Sequence, residues 1–539
     1  MMEALKIIVT NHSALQKKYK SQTEKVLSLL KKLIAADKKK GIDTSVINLD
    51  DMTEMKKVNG RAVTNPSNEK QNVTAVQKIF DRLNPDYLVL FGSADIIPFI
   101  RIKNPVYNRF EDSSDVDDDG NTTEKDREDG EYILSDLPYT CDIPFTKDYE
   151  KYTSTNQGMV FRVVGRIPDI IGESNIPYIT KVVKHAIDWK TKQRSAGRGF
   201  ALSTDDWSSV TSASIKSLFG NKFDLLISKG NPGPVLKFNL IKSDIHLINC
   251  HGGPGNDFFS NSQDGTAISS NQLDKQIKKG TIGAAECCFG AQLYFDPQQN
   301  LPMASNYLEE GATGFLGSST TSYGASNVDA EPYDADIMTK YFLKYILQGR
   351  STGSALQQAR IDFKRDAFSL EDGLDILMSY KTLIQFYLLG DPSIHYVKKK
   401  VQTEAGLPKG ISNRRKAAAK RSSQIIIPQI TTRKIAKSLN PTPRKLADIL
   451  LDYNMEGSKV QTIQVTATAP AMASINISGK RRKSLIASEM KPKSKTFTQH
   501  VVFKKKETKM DGKKNKEYRV LFITQLPGQI MKTKYLVSK

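Results

Sequence analysis

The stretch Asp244-Ile-His-Leu-Ile-Asn-Cys-His251-Gly252-Gly253 decides how this sequence is interpreted, together with Gly280-Thr-Ile-Gly-Ala-Ala-Glu286-Cys287-Cys288-Phe289-Gly290. Each is a short apolar run, typical of a strand buried on both faces, that ends in a reactive side chain with a glycine close behind. Because ligands of open α/β sheets bind beyond the carboxyl ends of the strands, the two runs predict an imidazole and a thiol at one sheet edge. The 37 residues from His251 to Cys288 leave room for the crossover between parallel strands, which needs about a dozen.

The rest of residues 1–397 alternates apolar strand-like runs with amphipathic helical segments, which is the pattern of an α/β fold. We expect a mostly parallel sheet flanked by helices, in two α/β subdomains at residues 1–165 and 166–397. The expected strands are Leu5–Thr10, Tyr87–Phe91, Val160–Val164, Phe200–Ser203, Ile245–Cys250, Ile282–Cys287 and Gly314–Gly317. The expected helices are Ile176–Trp189, Ala335–Leu347, Gly353–Phe363 and Leu374–Leu388.

The C-terminal quarter differs in composition from the rest of the chain. Residues 398–440 are rich in Lys, Arg, Ser and Ala, and we interpret them as a basic linker. Residues 441–539 contain alternating apolar and polar runs, which predict an all-β, Ig-like sandwich. These runs are Thr462–Thr468, Ser474–Ile477, Thr498–Phe503, Tyr518–Thr524 and Thr533–Val537.

Composition and charge exclude several classes of protein. Of 539 residues, 39% are apolar and 25% charged, values typical of a globular chain rather than a fibrous or wholly disordered one. Four cysteines are too few for a disulfide framework. No apolar run is long enough to span a bilayer, and the N-terminal residues lack the pattern of a secretory signal, so we expect a cytoplasmic protein without a membrane span.

Positive charge is concentrated in the C-terminal region. From Lys398 to Lys539 there are 33 Lys and Arg against 8 Asp and Glu, whereas the preceding residues carry 46 against 50. Such a basic region can contact an acidic protein partner or nucleic acid. Its basic runs contain few of the aromatic residues that stack on bases, so solubilising or partner-docking charge is the alternative that we prefer to nucleic-acid recognition.

The pairing of a histidine with a cysteine suits nucleophilic catalysis. A cysteine attacks as its thiolate, and a nearby histidine can accept the thiol proton and later protonate the leaving amine. Gly252 would leave a main-chain N–H free to approach a developing oxyanion, and the N–H of Cys288 could be its companion donor.

A zinc site built from Cys250, His251, Cys287 and Cys288 is the alternative, because all four side chains can bind this metal. Successive side chains of a strand point to opposite faces, so adjacent pairs do not easily converge on one ion. We therefore prefer the catalytic interpretation.

The order of these motifs resembles that of the gingipain family, within the caspase–legumain–gingipain clan of cysteine peptidases. An apolar strand with His-Gly is followed by an apolar strand with Glu-x-Cys-x-Gly. Four further stretches support the narrower resemblance: Tyr87-Leu-Val-Leu-Phe-Gly-Ser-Ala-Asp-Ile-Ile-Pro98, Ser135-Asp-Leu-Pro-Tyr139, Val164-Gly-Arg-Ile-Pro-Asp169 and Phe386-Tyr-Leu-Leu-Gly-Asp-Pro-Ser393.

The resemblance implies roles for particular residues. Cys288 would be the nucleophile and His251 the general acid/base, with the main-chain amides of Gly252 and Cys288 as the oxyanion hole. Asp205 would be the carboxylate that orients the histidine, although Asp205 and Asp206 could instead form a solvated turn or helix cap before Trp207. Cleavage after Arg or Lys is implied, with Asp206 and Tyr323 as candidate substrate-binding residues.

A calcium site is a further expectation, because proteins of the gingipain family bind calcium. Asp115, Asp117 and Asp119, followed by Gly120 and with Asp126 at the twelfth place, resemble a calcium loop. The alternative is an acidic, solvated surface loop. The chemistry itself requires no cofactor.

The sequence therefore predicts a cytosolic caspase-like cysteine endopeptidase that acts on protein substrates. We expect it to be regulated by an activator or inhibitor protein, an ion or proteolytic processing, in a setting such as defence or cell death. If it cleaves after basic residues, Arg414–Arg421 should be an autolysis site. Two alternatives are an inactive peptidase-fold scaffold that acts through its basic region, and ligation or transpeptidation by the same thiol.

Overall fold

The computed structural model describes most of the chain, in fourteen segments. They are residues 4–107, 130–153, 161–189, 197–234, 241–294, 300–327, 332–368, 374–397, 429–434, 449–455, 458–468, 494–510, 513–526 and 529–538.

The strands of these segments are numbered in chain order. They are β1 (Ala4–Thr10), β2 (Ile42–Asn48), β3 (Tyr87–Phe91), β4 (Ile100–Lys103), β5 (Tyr132–Ser135), β6 (Val164–Ile167), β7 (Gly199–Thr204), β8 (Phe223–Ser228), β9 (Ile245–Asn249), β10 (Phe258–Ser260), β11 (Thr266–Ser269), β12 (Ile282–Ala285), β13 (Gly314–Ser318), β14 (Tyr323–Gly324), β15 (Phe386–Gly390), β16 (Gln429–Lys434), β17 (Lys459–Thr468), β18 (Ser494–Met510), β19 (Lys513–Leu526) and β20 (Gln529–Ser538).

The α-helices are numbered in the same way. They are α1 (His12–Tyr19), α2 (Thr23–Lys39), α3 (Met52–Lys57), α4 (Glu69–Leu83), α5 (Leu137–Thr140), α6 (Tyr149–Thr153), α7 (Ile176–Asp188), α8 (Ser208–Phe219), α9 (Ser270–Leu273), α10 (Met303–Glu310), α11 (Asp334–Leu347), α12 (Thr352–Ala367) and α13 (Ile376–Gln385). None of these helices is both long and apolar enough to cross a bilayer.

A ten-stranded sheet forms the centre of the α/β region, in the order β2-β1-β3-β6-β15-β13-β12-β9-β7-β8. Every neighbouring pair is parallel except β13 and β15, which are antiparallel. The sheet is therefore made of two five-stranded parallel blocks that run in opposite directions. The predicted mostly parallel α/β fold is confirmed.

The two blocks meet between β15 and β13, where Leu389 pairs with Phe315. The expected subdomain boundary at residues 165 and 166 falls inside β6, so both subdomains contribute to one sheet. A fully buried ion cluster ties the first strand of the first block to the residue that follows its last strand. Lys6 of β1 lies 2.5 Å from Asp37 and 2.7 Å from Asp391, which directly follows β15.

The C-terminal sheet, defined as β16–β20 with β14 at one edge, has the order β14-β20-β19-β18-β17-β16. The all-β prediction for this region is confirmed, but its described strands form one antiparallel sheet and not the two facing sheets of an Ig-like sandwich. The reason is that both faces are already covered. One face joins the main core through Val520, Phe522 and Leu536, and Leu521 and Val537 of the other face pack with Trp207.

Several elements differ from the sequence expectations. The apolar segment 374–388 was expected to be one helix, but α13 ends at Gln385 and Phe386 begins β15. The strand expected at Val160–Val164 lies further along as β6. The strands β2 and β8 were missed, as was β16, which lies within the expected linker. The expected strand Ser474–Ile477 lies outside the described residues.

The Lys6 cluster generates a prediction about stability. Burial alone would lower the pKa of Lys6, but Asp391 and Asp37 raise it above its usual value, so the ammonium is held charged. Lys6→Met would leave two buried carboxylates without their cation, and we expect it to cost about 3–5 kcal/mol of unfolding free energy. Urea or thermal unfolding followed by circular dichroism measures this. Lys31→Met, at an exposed position of α2, is the control, and equal midpoints for both variants would contradict the prediction.

Candidate active site

The strand ends of the second block bring the predicted catalytic residues to one edge. The pairing of β9 with β12 matches Ile245 with Ile282 and Ile248 with Ala285. His251 and Cys288 therefore both follow the carboxyl ends of adjacent parallel strands.

Small residues allow the two strand ends to approach closely. A Cβ atom on Gly252 would lie 1.9 Å from the carbonyl oxygen of Cys288, so this position accepts only glycine without a shift of the main chain. The main chain of His251 is fixed by two hydrogen bonds with Ser260, at 3.0 and 2.9 Å. The loop that follows β9 is thus held against the loop that follows β12.

The Cys288 thiol lies beside the segment that leads into β14. The main-chain N–H of Ser322 donates to Sγ at 3.2 Å, and the carbonyl oxygen of Ser322 lies 3.6 Å from the same sulfur. The residue is only 5% exposed. Cys288 is therefore in direct contact with the main chain that immediately precedes the edge strand Tyr323–Gly324.

The His251 imidazole is enclosed by an aromatic ring and a carboxylate. The rings of His251 and Trp207 are in edge-to-face contact, with their centroids 4.4 Å apart. Nε2 lies 4.0 Å from a carboxylate oxygen of Glu517, on β19 of the C-terminal sheet. This distance exceeds a hydrogen bond but is an ion-pair distance when the imidazole is protonated.

Asp205 lies directly after β7, which pairs with β9 as far as Ser203 and Asn249. It begins a 3₁₀ turn that ends at Trp207, so the strand register does not extend to it. Its side chain is half exposed and forms an ion pair with Lys229 at 2.9 Å. The main-chain carbonyl of Asp205 accepts hydrogen bonds from Ser208 and Asn327.

The candidate substrate-binding residues differ in their exposure to solvent. Asp206 is exposed, and its carbonyl oxygen accepts a hydrogen bond from the amide of Asn327 at 3.0 Å. Tyr323 is fully buried in β14, and the ammonium of Lys381 lies 5.5 Å from its ring centroid. The aromatic ring is therefore shielded from solvent.

The neighbouring cysteines are part of the core. The sulfur of Cys287 accepts a hydrogen bond from the amide of Cys250 at 3.4 Å, and burial raises the pKa of the Cys287 thiol well above its usual value. Among the described residues, no group of three or more His, Cys, Asp or Glu side chains could hold a metal ion. The predicted calcium ligands Asp115, Asp117, Asp119 and Asp126 lie outside the described residues, as do the basic runs at Arg414–Arg421.

Glu286 anchors the strand end that carries Cys288. It is fully buried, and its carboxylate accepts a hydrogen bond from the hydroxyl of Thr339 on α11 at 2.9 Å. Its amide donates to the carbonyl of Ile248 at 2.8 Å, which continues the ladder between β9 and β12. Glu286 therefore fixes the position of the end of β12, which leads to Cys288, along β9.

Three residues of the site were missed by the sequence analysis: Trp207, Ser322 and Glu517. The tryptophan follows the two aspartates after β7, so its position at a strand end could have indicated it. Ser322 contributes main-chain atoms, which leave no signal in its side chain. Glu517 is 266 residues from His251, and no local pattern connects them.

No protein-family model and no curated protein matches the chain. The solved structures that match it include two that align with nearly its full length. One is a protease, with a TM-score of 0.44 and 12% identity over 99% of this chain and 96% of that chain. The other is the complex of the pro- and mature domains of RgpB from Porphyromonas gingivalis, with a TM-score of 0.44 and 10% identity over 99% of both chains.

The close approach at Gly252 generates a prediction about the site. In Gly252→Ala the new methyl would overlap the Cys288 carbonyl, so the two loops must separate. We expect the reaction of Cys288 with iodoacetamide to slow about 10²-fold, because a displacement of about 1 Å has that effect on positioned groups. Gly197→Ala is the control, since its Cβ would meet the Asp244 carboxylate at an ordinary 3.5 Å. Equal rates for the two variants would contradict the prediction.

Proposed function

We propose that the chain is a caspase-like cysteine endopeptidase with Cys288 as nucleophile and His251 as general acid/base. The observation that carries this proposal is that the two residues follow the carboxyl ends of adjacent parallel strands, where Gly252 closely approaches the main chain of Cys288. The sheet edge beyond these strands is where α/β proteins bind ligands. The enclosed, aromatic surroundings of His251 limit water around the proton that it would transfer.

The chemistry divides peptide hydrolysis into two steps. His251 accepts the proton of Cys288, and the sulfur forms a bond to the carbonyl carbon of the substrate. The carbon–nitrogen bond breaks as His251 returns the proton to the leaving amine. Water then attacks the thioester with the same residue as base, which releases the acid product and restores the thiol. The amides of Gly252 and Cys288 would stabilise the oxyanion of each tetrahedral intermediate.

We propose Asp205 as the carboxylate that orients His251 during catalysis. A carboxylate that orients an imidazole fixes its tautomer and stabilises its protonated form. Asp205 follows the strand next to β9 but pairs with Lys229, whereas Glu517 lies 4.0 Å from the ring nitrogen in the observed structure. The requirement for Asp205 therefore depends on whether its pairing with Lys229 breaks when a substrate binds.

Alkylation of the four cysteines tests the proposed dyad. Wild type should take up one iodoacetamide, at Cys288, and His251→Ala should lower that rate about 10²-fold at neutral pH, because the thiol loses its base. Intact and peptide mass spectrometry measure the uptake. Cys141→Ala is the control, since burial raises the pKa of the Cys141 thiol to about 11 and keeps it unreactive. Uptake that is independent of His251, or none at Cys288, would instead favour an inactive scaffold.

Cleavage after Arg or Lys is proposed from the resemblance, with Asp206 as the acidic group that would attract the basic side chain. A peptide library that varies the residue before the cleaved bond tests it. We expect Asp206→Asn to reduce the preference for Arg and Lys about tenfold, equivalent to about 1.4 kcal/mol of charge interaction. Asp274→Asn, at an exposed position on another loop, is the control. An unchanged preference would assign the specificity elsewhere. Cytoplasmic location, regulation and a role in defence or cell death stay predictions from the sequence.

A further inference from the structure

The C-terminal sheet lies directly over the proposed catalytic residues. Its last strand, β20, pairs in antiparallel fashion with β14, matching Tyr323 with Ser538 and Gly324 with Val537. Ser322, the residue before β14, contacts the sulfur of Cys288 through its main-chain amide. The chain's own strand β20 is thus paired with the two-residue strand that begins beside the nucleophile.

An edge strand beside a nucleophile is a binding site for extended peptides. Peptides recognised in this way add a strand to an exposed edge, so that main-chain hydrogen bonds give affinity and alternate side chains give specificity. A peptidase that cleaves protein substrates needs such an extended segment next to its thiol. In this structure β20 occupies that edge of β14, and Cys288 is only 5% exposed.

The face of the C-terminal sheet turned toward the site fits it closely. Leu521, Tyr535 and Val537 pack in one apolar cluster with Trp207, whose ring contacts the His251 imidazole. On the same face of β19, Glu517 approaches His251 and also pairs with Arg519. The sheet therefore covers His251 with a packed surface, and its edge strand β14 begins next to the residue that contacts Cys288.

The opposite face is fastened by buried polar contacts. Lys534 lies 3.4 Å from Asp334 and 3.7 Å from Asp375, at the beginnings of α11 and α13, and these three residues are called the latch. Gln499 of β18 adds hydrogen bonds, from the amide of Leu374 at 2.7 Å and to Asp375 at 3.3 Å. Separating the sheet from the helices would leave two carboxylates without their cation.

We propose that the C-terminal sheet is a built-in inhibitor, in which β20 occupies the peptide-binding edge of β14 and the latch holds it there. This inference rests on the proposed function, because it names the regulation of the same site. Strands β16–β20 must move away from β14 before a protein substrate can reach Cys288. The observed structure is accordingly the closed state of the enzyme.

The full-length chain tests the proposal with two reagents of different size. Iodoacetamide reports whether the thiol is activated, and an acyloxymethyl ketone on an N-blocked tripeptide ending in lysine reports whether an extended peptide can reach it. Lys534→Met removes the cation of the latch, and Gln499→Ala weakens the same junction with a smaller change. Lys184→Met, at an exposed position of α7, is the matched control.

If β20 blocks the edge, the latch variants should react with the peptide ketone at least about tenfold faster than wild type, because apparent reactivity scales with the fraction of open molecules. Lys184→Met should react like wild type, and the gain should disappear in combination with His251→Ala. Circular dichroism and thermal unfolding establish that each variant is folded. Gln499→Ala carries the test if Lys534→Met does not fold.

Two other outcomes would overturn the proposal in distinguishable ways. If wild type already reacts with the ketone as fast as the latch variants, and the reaction needs His251, the peptidase stands and the inhibitor does not. If Cys288 reacts with neither reagent in a His251-dependent manner in any variant, the proposed function itself fails.

Substitution of Glu517 distinguishes inhibition by the C-terminal sheet from a role of that sheet in positioning His251. The test is Glu517→Gln in the Lys534→Met background, with kcat and KM measured for a lysine peptide substrate. A fall in kcat with unchanged KM, and a shift in the pH profile, would show that Glu517 positions His251 during catalysis. The C-terminal sheet would then be part of the active enzyme, which contradicts inhibition.

Discussion

The parallel register between β9 and β12 is the constraint on which the proposed chemistry depends. It aligns the ends of the two strands that precede His251 and Cys288, although 37 residues separate these two residues along the chain. The register is protected by small residues, since a Cβ on Gly283 would lie 2.6 Å from the ring of Phe315 in the next strand. A slip of one residue would move every side chain of β12 to the other face of the sheet and remove the thiol from the site.

Much of this arrangement is local in sequence and could therefore be predicted from it. Short apolar runs that end in His251-Gly252 and in Cys288 specify buried parallel strands and the nature of their tips. The strands that were missed have different patterns. Exposed polar side chains alternate with buried ones in β2, and β15 continues the apolar run of α13 without a turn residue between them. The cover over the site was not predictable, because Glu517, Lys534 and Val537 meet their partners only through long-range contacts.

Two clusters of the same chemical composition have different consequences in this molecule. In each, one lysine lies between two aspartates: Lys6 with Asp37 and Asp391, and Lys534 with the aspartates of the latch. The Lys6 cluster is fully buried within the first parallel block, so separating its lysine from its aspartates would require unfolding. The second joins two layers and keeps 8% of the Lys534 side chain exposed. Burial raises the pKa of Asp334 despite the nearby lysine. This carboxylate loses hydration free energy on burial, and the contacts of the interface offset that loss.

A closed state of this kind opens rarely without assistance. Displacing the sheet exposes the apolar cluster of Trp207 and its partners, and each large side chain in it contributes about 1.5–3 kcal/mol when fully buried. Three such side chains already imply a resting open fraction below about 10⁻³, since each 1.4 kcal/mol is a factor of ten in the equilibrium. Under the proposed inhibition, an activator would bind the open state, and it would either cover the exposed apolar face or compete with β20 for the edge of β14. An extended protein segment with alternating apolar side chains satisfies both conditions, because it can pair with β14 while its side chains replace those of Val537 and Tyr535 against Trp207.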